Sequence, residues 1–114
     1  MTGHPVRVRG TGRVEVAGYG MADAEHRVEK ELRELWPEAR VEVAEVSRTG
    51  TGRIVEEFAV RYAVRGEVEA EGATEEEARR AALRGLRTRF TGSRYTQVAW
   101  EVEEGSGSST GRNG

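Results

Sequence analysis

The sequence predicts an α+β domain in which an antiparallel-rich sheet carries two helices packed on one face. Apolar residues alternate with polar ones over 6–16, 58–64 and 98–102, a period of two that is typical of half-buried strands. Segments 24–36 and 78–90 repeat apolar residues at the spacing of amphipathic helices. The chain has 114 residues, which suits a single domain with one core.

The first strand and the first helix are delimited by glycines. The valines at 6, 8, 14 and 16 share one parity, which predicts a strand that breaks or bends at Gly10–Gly12. Gly18–Gly20 is expected to end it. Helix one is predicted over 23–36, with Asp23 placed to cap its start and Pro37 following its end.

The middle of the chain predicts a hairpin. A second strand is expected over 41–46, with an irregularity before its last valine, and leads through the glycine-containing loop 47–52 into a third strand over 54–64. Arg65–Gly66 is then predicted to form a tight turn into a fourth strand over 67–71. The alternative is one long strand that runs through this position without a turn.

Helix two is predicted to begin at a capping box, Thr74–Glu77, whose three glutamates lie at the positive end of the helix dipole. Gly92 is placed to cap its end, and a terminal strand follows over 98–102. The predicted order is β-α-β-β-β-α-β in a single domain over 1–104. A Gly/Ser-rich tail over 105–114 is expected to be flexible. The apolar face of helix two is Ala78, Ala82, Leu83, Leu86 and Phe90.

Most aromatic residues are expected in the core, because they occupy positions of buried parity. Tyr19 and Tyr95 lie at the ends of elements, so their environment is left open. The predicted core aromatics are Trp36, Phe58, Tyr62, Phe90 and Trp100.

The chemically reactive residues indicate no enzyme, no cofactor and no metal site. The chain has no Cys, and its only imidazoles are His4, expected in a frayed terminus, and His26, expected on the surface of helix one. Asp23 is the only aspartate, so a magnesium site would have to be built from glutamates on exposed faces. The Gly-x-Gly segments lack the continuation of a phosphate-binding loop and are interpreted as turns.

The composition predicts a cytoplasmic protein with no membrane partner. Hydrophobic residues make up 36% of the chain and charged residues 33%. No apolar run reaches the ~20 residues of a membrane span. Residues 1–5 contain neither the charged nor the apolar region of a signal peptide.

Charge is segregated along the chain. The net charge is only −2, so bulk attraction to nucleic acid is not expected. However, residues 67–77 contain six glutamates and no basic residue, whereas residues 78–100 contain six arginines and no acidic residue. A nucleic-acid contact, if present, is therefore expected on helix two and the segment after it.

Three arginines of helix two fall within an arc of roughly 60° that lies away from its apolar face. Arg89 and Arg94 extend the charge beyond this arc. The arginines of the first strand would add to it if the outer face of that strand lies nearby. Guanidinium groups bind phosphate oxygens bidentately, and a stripe with this spacing can follow a nucleic-acid backbone. The alternative is a solvated helix face whose arginines pair with nearby glutamates. The candidate contacts are Arg80, Arg84, Arg87, Arg89, Arg94, Arg7, Arg9 and Arg13.

Several charged segments, taken in order, resemble a known family. They are Val6–Gly10, Arg13–Val16, Glu29–Leu35, Arg40–Val43, Phe58–Gly66 and Glu67–Glu71, followed by a helix that ends in basic residues. Together they resemble the ribosome hibernation-promoting factor family, also called ribosome-associated inhibitor. The resemblance implies a non-enzymatic module that binds the RNA of the small ribosomal subunit during dormancy.

The hairpin and the second helix also resemble the double-stranded RNA-binding domain, through Phe58–Gly66 followed by Ala78–Ala82. Where such domains carry lysines at the start of this helix, the chain has Glu75–Glu77, so their typical RNA contact is not expected. A dodecin-like hairpin is a further alternative, although Arg40 and Ala59 stand where that family would place its flavin contacts. The architecture is thus predicted to be dsRBD-like or ferredoxin-like.

A second function is predicted from the terminal strand. If segment 95–102 lies at the edge of the sheet, its unpaired backbone can pair with another subunit. The chain would then be a protein-interaction or assembly module, a homo-oligomer that needs no nucleic acid.

Overall fold

Four strands and two helices are present in a computed structural model that describes residues 3–52 and 54–103. The strands form one antiparallel sheet in the order β2-β3-β1-β4. This confirms the predicted fold class, and the topology is the ferredoxin-like split β-α-β arrangement. The predicted tail over 105–114 lies outside the described residues. The elements are β1 (Gly3–Gly18), α1 (Met21–Leu35), β2 (Arg40–Thr51), β3 (Glu56–Glu71), α2 (Glu75–Phe90) and β4 (Val98–Val102).

Both helices cover the same face of the sheet. The even-numbered residues of β1 and β3 face them, and most of these side chains are buried. The odd-numbered residues of the two strands, mainly Arg, Glu and Ala, lie on the opposite side, here called the open face. Neither helix of the described ranges is long and apolar enough to cross a membrane. The helices contribute Ala24, Val28, Leu32, Ala78, Ala82, Leu86 and Phe90 to the core.

The predicted break at Gly10–Gly12 is wrong, because β1 is continuous through these residues. A Cβ atom on Gly10 would lie 2.6 Å from the ring of Trp100, and one on Gly12 would lie 2.5 Å from the hydroxyl of Tyr62. The two glycines therefore leave space for aromatic rings and do not reverse the chain.

The predicted turn at Arg65–Gly66 is also wrong, and the alternative of one long strand is correct. A Cβ atom on Gly66 would lie 2.7 Å from Cζ2 of Trp36, whose side chain is buried against the strand. The predicted third and fourth strands are thus one strand, β3. The order of the elements is otherwise as predicted.

The two helices begin differently. α1 starts at Met21, two residues before the predicted start, with Gly20 at the cap position and no side-chain cap. The carboxylate of Asp23 instead accepts a hydrogen bond from the Tyr19 N–H at 2.9 Å. It therefore fixes the turn before the helix and does not cap the first helical amides.

The predicted cap of α2 at Thr74 is confirmed, and the reciprocal bond of Glu77 goes to Ala73, the residue before the cap. The Glu77 N–H donates to Thr74 Oγ1 at 3.1 Å, and the Glu77 carboxylate accepts from the Ala73 N–H at 2.9 Å. At the other end Gly92 has a φ of +88°, a conformation that favours glycine after a helix. Both ends of α2 are thus set by local sequence signals.

The β2–β3 hairpin is longer than predicted. β2 continues to Thr51, through the predicted loop, and the expected irregularity is confirmed as a register shift between Val43 and Glu45. The alternation of the third strand predicts that Ile54 starts its buried face. This prediction is wrong, because Ile54 lies before β3 and is 78% exposed.

The aromatic side chains connect the layers. Trp100 packs edge-on against both Trp36 and Phe90, with ring centroids 6.2 Å and 5.1 Å apart. Tyr95 packs in the same way on Tyr62 at 5.5 Å. Of the two tyrosines whose environment the sequence leaves open, Tyr95 is buried and Tyr19 is 71% exposed.

Two of these tyrosines have perturbed acidity. Burial raises the pKa of Tyr62 to about 12. Burial also raises the pKa of Tyr95, whose hydroxyl donates a hydrogen bond to the Glu31 carboxylate at 2.6 Å, which raises it further. Both phenols are therefore held neutral in the folded state.

Replacing Gly66 with Ala should lower the free energy of unfolding by about 1–3 kcal/mol, because the added methyl group must displace the buried Trp36 ring. The matched control is Gly50→Ala in β2, where the nearest atoms would lie 3.7 Å away. That change should leave stability unchanged or raise it by up to about 1 kcal/mol. Urea denaturation measures both, and equal effects of the two substitutions would contradict the assigned role of Gly66.

Stability should fall as the pH rises from about 10 to about 12, because Tyr62 keeps its proton in the folded state to about 12 while the unfolded phenol loses it near 10. The stabilisation from the neutral Tyr62 phenol is fully present below the pKa of the unfolded chain. It is lost as the pH approaches the pKa of Tyr62 in the folded chain. Tyr62→Phe should make this decline less steep. Denaturant unfolding across this pH range measures the slopes, and identical slopes for Tyr62→Phe and the native chain would contradict the prediction.

Candidate nucleic-acid interface

The outward face of α2 carries three arginines, called here the α2 stripe: Arg80, Arg84 and Arg87. α2 buries Ala78, Ala82, Leu86 and Phe90 against the sheet, so residues on the opposite side of the helix face solvent. All three arginines are exposed. The structure therefore brings these predicted contacts together on one free helix face.

Two arginines of the α2 stripe have no carboxylate partner among the described residues. Only Arg80 has one within 4.0 Å, Glu76 at 3.8 Å, one helical turn away. Both side chains of this pair are mostly exposed, and such pairs stabilise a helix by only ~0.3–0.5 kcal/mol. Pairing with glutamates, the alternative that the composition suggests, thus applies to one arginine of the stripe.

Arg89 and Arg94 do not extend the stripe freely. Arg89 lies 3.7 Å from Glu38 and donates to the Leu35 carbonyl at 3.4 Å. Arg94 lies 3.6 Å from the carboxylate of Glu31. Both arginines therefore connect the end of α2 and the following loop to α1 and the residues after it.

The first-strand arginines lie on the other side of the molecule. Arg7, Arg9 and Arg13 are odd-numbered residues of β1 and belong to the open face, whereas α2 covers the opposite face. The structure does not combine the α2 stripe and these arginines into one continuous surface.

The open face brings Arg7, Arg9 and Arg13 close to arginines that the sequence patterns do not single out, Arg40, Arg61 and Arg65. Strand register places Arg65 between Arg9 and Arg40, and places Arg61 opposite Arg13. The sequence shows which face of its own strand each arginine occupies. It does not show that the six arginines lie close together, because this depends on the register between strands.

Carboxylates balance the charge of the open face. Glu15 lies 3.6 Å from Arg13, Glu45 lies 3.9 Å from Arg61, and Glu103 lies 3.4 Å from Arg65. Strand register also sets Glu67 opposite Arg7 and Glu101 opposite Arg9. The open face is therefore a mixed-charge surface, in contrast to the largely uncompensated α2 stripe. A shallow depression of about 440 Å³ on it is lined by Arg7, Glu38, Arg40, Arg65, Gly66, Glu67 and Glu103.

The sheet does not offer aromatic rings for base stacking on its open face, among the residues that the structure describes. Phe58 and Tyr62 of β3 are buried on the helix side, and Trp100 of β4 packs against Phe90 of α2. RNA-binding sheets that read bases stack them on exposed aromatic residues. Any RNA contact of this chain is therefore expected to involve phosphates.

The histidines lie apart from these surfaces. His4 Nε2 is 3.2 Å from the Gly72 carbonyl oxygen, and His26 is exposed on α1. Within residues 3–52 and 54–103, no three or more His, Asp or Glu side chains are placed to hold a metal ion.

No protein-family model, curated protein or solved structure matches the chain. A functional proposal therefore depends on the chain's own residues.

Proposed function

We propose that the chain is a non-enzymatic module that binds the phosphate backbone of a structured RNA through the α2 stripe. The observation that carries this proposal is the exposure of Arg84 and Arg87 without a carboxylate within 4.0 Å in the described part of the chain. Ribosomal RNA of the small subunit is the first candidate, because of the family resemblance over residues 6–90. This proposal includes a cytoplasmic location and a role in ribosome dormancy.

The spacing of the stripe suits a run of phosphates. At ~1.5 Å of rise per residue, the stretch from Arg80 to Arg87 extends about 10 Å along the helix axis. Each guanidinium can hold a phosphate in bidentate fashion, which positions the protein without reading bases. Glu75–Glu77 at the start of α2 repel phosphate, so the backbone is expected to follow the C-terminal part of the helix.

Replacing Arg80, Arg84 and Arg87 together with Gln should abolish co-sedimentation with small ribosomal subunits at moderate salt. Fluorescence anisotropy with a fragment of ribosomal RNA should show steep salt dependence for the native chain. Removal of one arginine that binds a phosphate should reduce the slope of log K against log salt by about 0.7–1.

The matched control replaces Arg7, Arg9 and Arg13 with Gln, which removes the same charge from the open face. This variant should keep most of the binding, because its arginines lie on the other side of the sheet from α2. Equal reductions in the two triple variants would contradict the role of the α2 stripe and indicate a response to net charge alone.

A second candidate is assembly of copies through the β4 side of the sheet. Within residues 3–52 and 54–103, β4 is an edge strand, and its five residues pair only with Val8–Gly12 of β1. β1 continues to Gly18, so residues 13–18 have no strand beside them on this side in the described part of the chain. Exposed backbone of this kind can pair with a second copy.

Light scattering after size-exclusion chromatography tests this candidate. Assembly through the β4 side should give a dimer whose fraction rises with protein concentration and does not respond to salt, because backbone hydrogen bonds hold it. A monomer at every concentration would contradict self-assembly.

A further inference from the structure

β3 extends beyond its neighbour β2 at one end of the sheet. β2 pairs with β3 from Glu56 to Arg65, but β3 continues to Glu71. On its other side the same stretch pairs fully with Gly3–Val8 of β1. In the described ranges, no strand pairs with the β2 side of Gly66–Glu71, which is called here the free β3 edge. Such an edge presents backbone N–H and C=O groups that can accept another strand.

A groove lies beside the free β3 edge, between β3 and α2. Its volume is about 490 Å³, and its apolar lining includes Trp36, Val68, Ala81 and Leu86. Its charged lining is acidic apart from one arginine and consists of Glu38, Glu67, Glu69 and Arg89. Gly85 of α2 also lines it, and a Cβ atom there would meet nothing within 4 Å, so the helix leaves the space open. A strand added at this edge would direct every second side chain into this groove.

The remaining side chains of such a strand would lie on the open face, where the free β3 edge is acidic. Glu67, Glu69 and Glu71 are exposed there and have no ion pair within 4.0 Å in the part of the chain that the structure describes. Opposite charges on neighbouring strands stabilise their pairing. Basic residues are therefore favoured at these positions of an added strand.

On the opposite edge of Gly66–Glu71, β1 already places an arginine beside one of these glutamates. In β1, Val6 lies opposite Val68 and Arg7 lies opposite Glu67. The fold thus pairs Gly66–Val68 with a Val-Arg-Val segment of β1, whereas Glu69 and Glu71 lie opposite Pro5 and Gly3. A strand with the same alternation would meet the same faces at the free β3 edge.

We propose that the free β3 edge binds an extended peptide of a partner protein in which apolar residues alternate with Lys or Arg. The apolar side chains enter the groove between β3 and α2, and the basic ones face Glu67 and Glu69. The backbone of the peptide supplies affinity by extending the sheet, and the two faces supply specificity. This binding does not depend on RNA.

The test uses the full chain and a fluorescently labelled peptide of alternating Val and Arg. Polarisation should show at least tenfold tighter binding than for a peptide of the same composition with its valines and arginines in two blocks. Methylating alternate backbone nitrogens on the edge that faces β3 should weaken binding at least tenfold, because it removes the donors of the strand pairing. Equal binding of the alternating, blocked and methylated peptides would overturn the proposal.

Two protein variants test the two faces. Glu67→Gln with Glu69→Gln should weaken binding at least fivefold, whereas the control Glu42→Gln with Glu57→Gln, which also removes two open-face charges, should not. Gly85→Leu should weaken binding, because the leucine side chain fills the groove. The variant should still fold, because this exposed site has room for the side chain. Equal effects of the two glutamate pairs, or no effect of Gly85→Leu, would overturn the proposal.

A second copy of the chain is the competing occupant. If the native chain forms dimers that the alternating peptide dissociates, the edge serves self-association and the proposed partner peptide is wrong. If the chain stays monomeric while it binds the peptide, the proposal is supported. Peptide binding should persist in the variant that replaces the three arginines of the α2 stripe with Gln, which separates this proposal from the RNA proposal.

Discussion

The close approach of three aromatic rings to glycines of the central strands is the constraint on which the fold depends. Trp100 lies at Gly10, Tyr62 at Gly12 and Trp36 at Gly66, and at each glycine a Cβ atom would come within 2.7 Å of the aromatic side chain. Interiors are packed too densely to absorb such an overlap without moving the ring. Trp100 also packs against Trp36 and against Phe90, the last residue of α2. The same rings therefore bind β4 and the ends of both helices to the sheet.

This packing decides where the charges lie. Because the rings and the valines occupy one face of the sheet, the arginines of β1 and β3 and all their glutamates except Glu56 lie on the other. There they stand beside one another across the strands and largely compensate, as Arg65 does with Glu103 at 3.4 Å. α2 is held by its buried side and its last residue, so the α2 stripe faces solvent on the far side of the molecule. Of the acidic run 67–77, the glutamates of β3 lie on the open face, whereas Glu75–Glu77 begin α2 ahead of its arginines.

Local patterns are enough to predict the fold class, the capping box at Thr74, the irregularity after Val43 and the arc of arginines on α2, since each depends on residues a few positions apart. The predictions at Gly10–Gly12 and Gly66 are wrong because the role of these glycines depends on residues far away in the sequence. Whether Gly66 turns the chain or admits a ring depends on Trp36, thirty residues earlier in the sequence. The cluster of arginines on the open face is likewise unpredictable, because it requires the register of three strands. Apart from Ile54, sequence patterns therefore predict the faces of single elements, and they fail where two elements meet.

The two proposed surfaces have complementary physical properties. Guanidinium contacts to phosphates carry no base information and weaken steeply with salt, so three exposed arginines alone cannot select one place on a large RNA. In the proposed peptide complex, backbone pairing at the free β3 edge would fix a register and the groove would select side chains, so this contact would supply the missing specificity. α2 connects the two surfaces, because Ala81 and Gly85 line the groove while Arg80 and Arg84 face solvent. If both proposals hold, a bound peptide would place the arginines at a high effective concentration near RNA beside that partner. A weak phosphate contact would then be sufficient for binding at a single location.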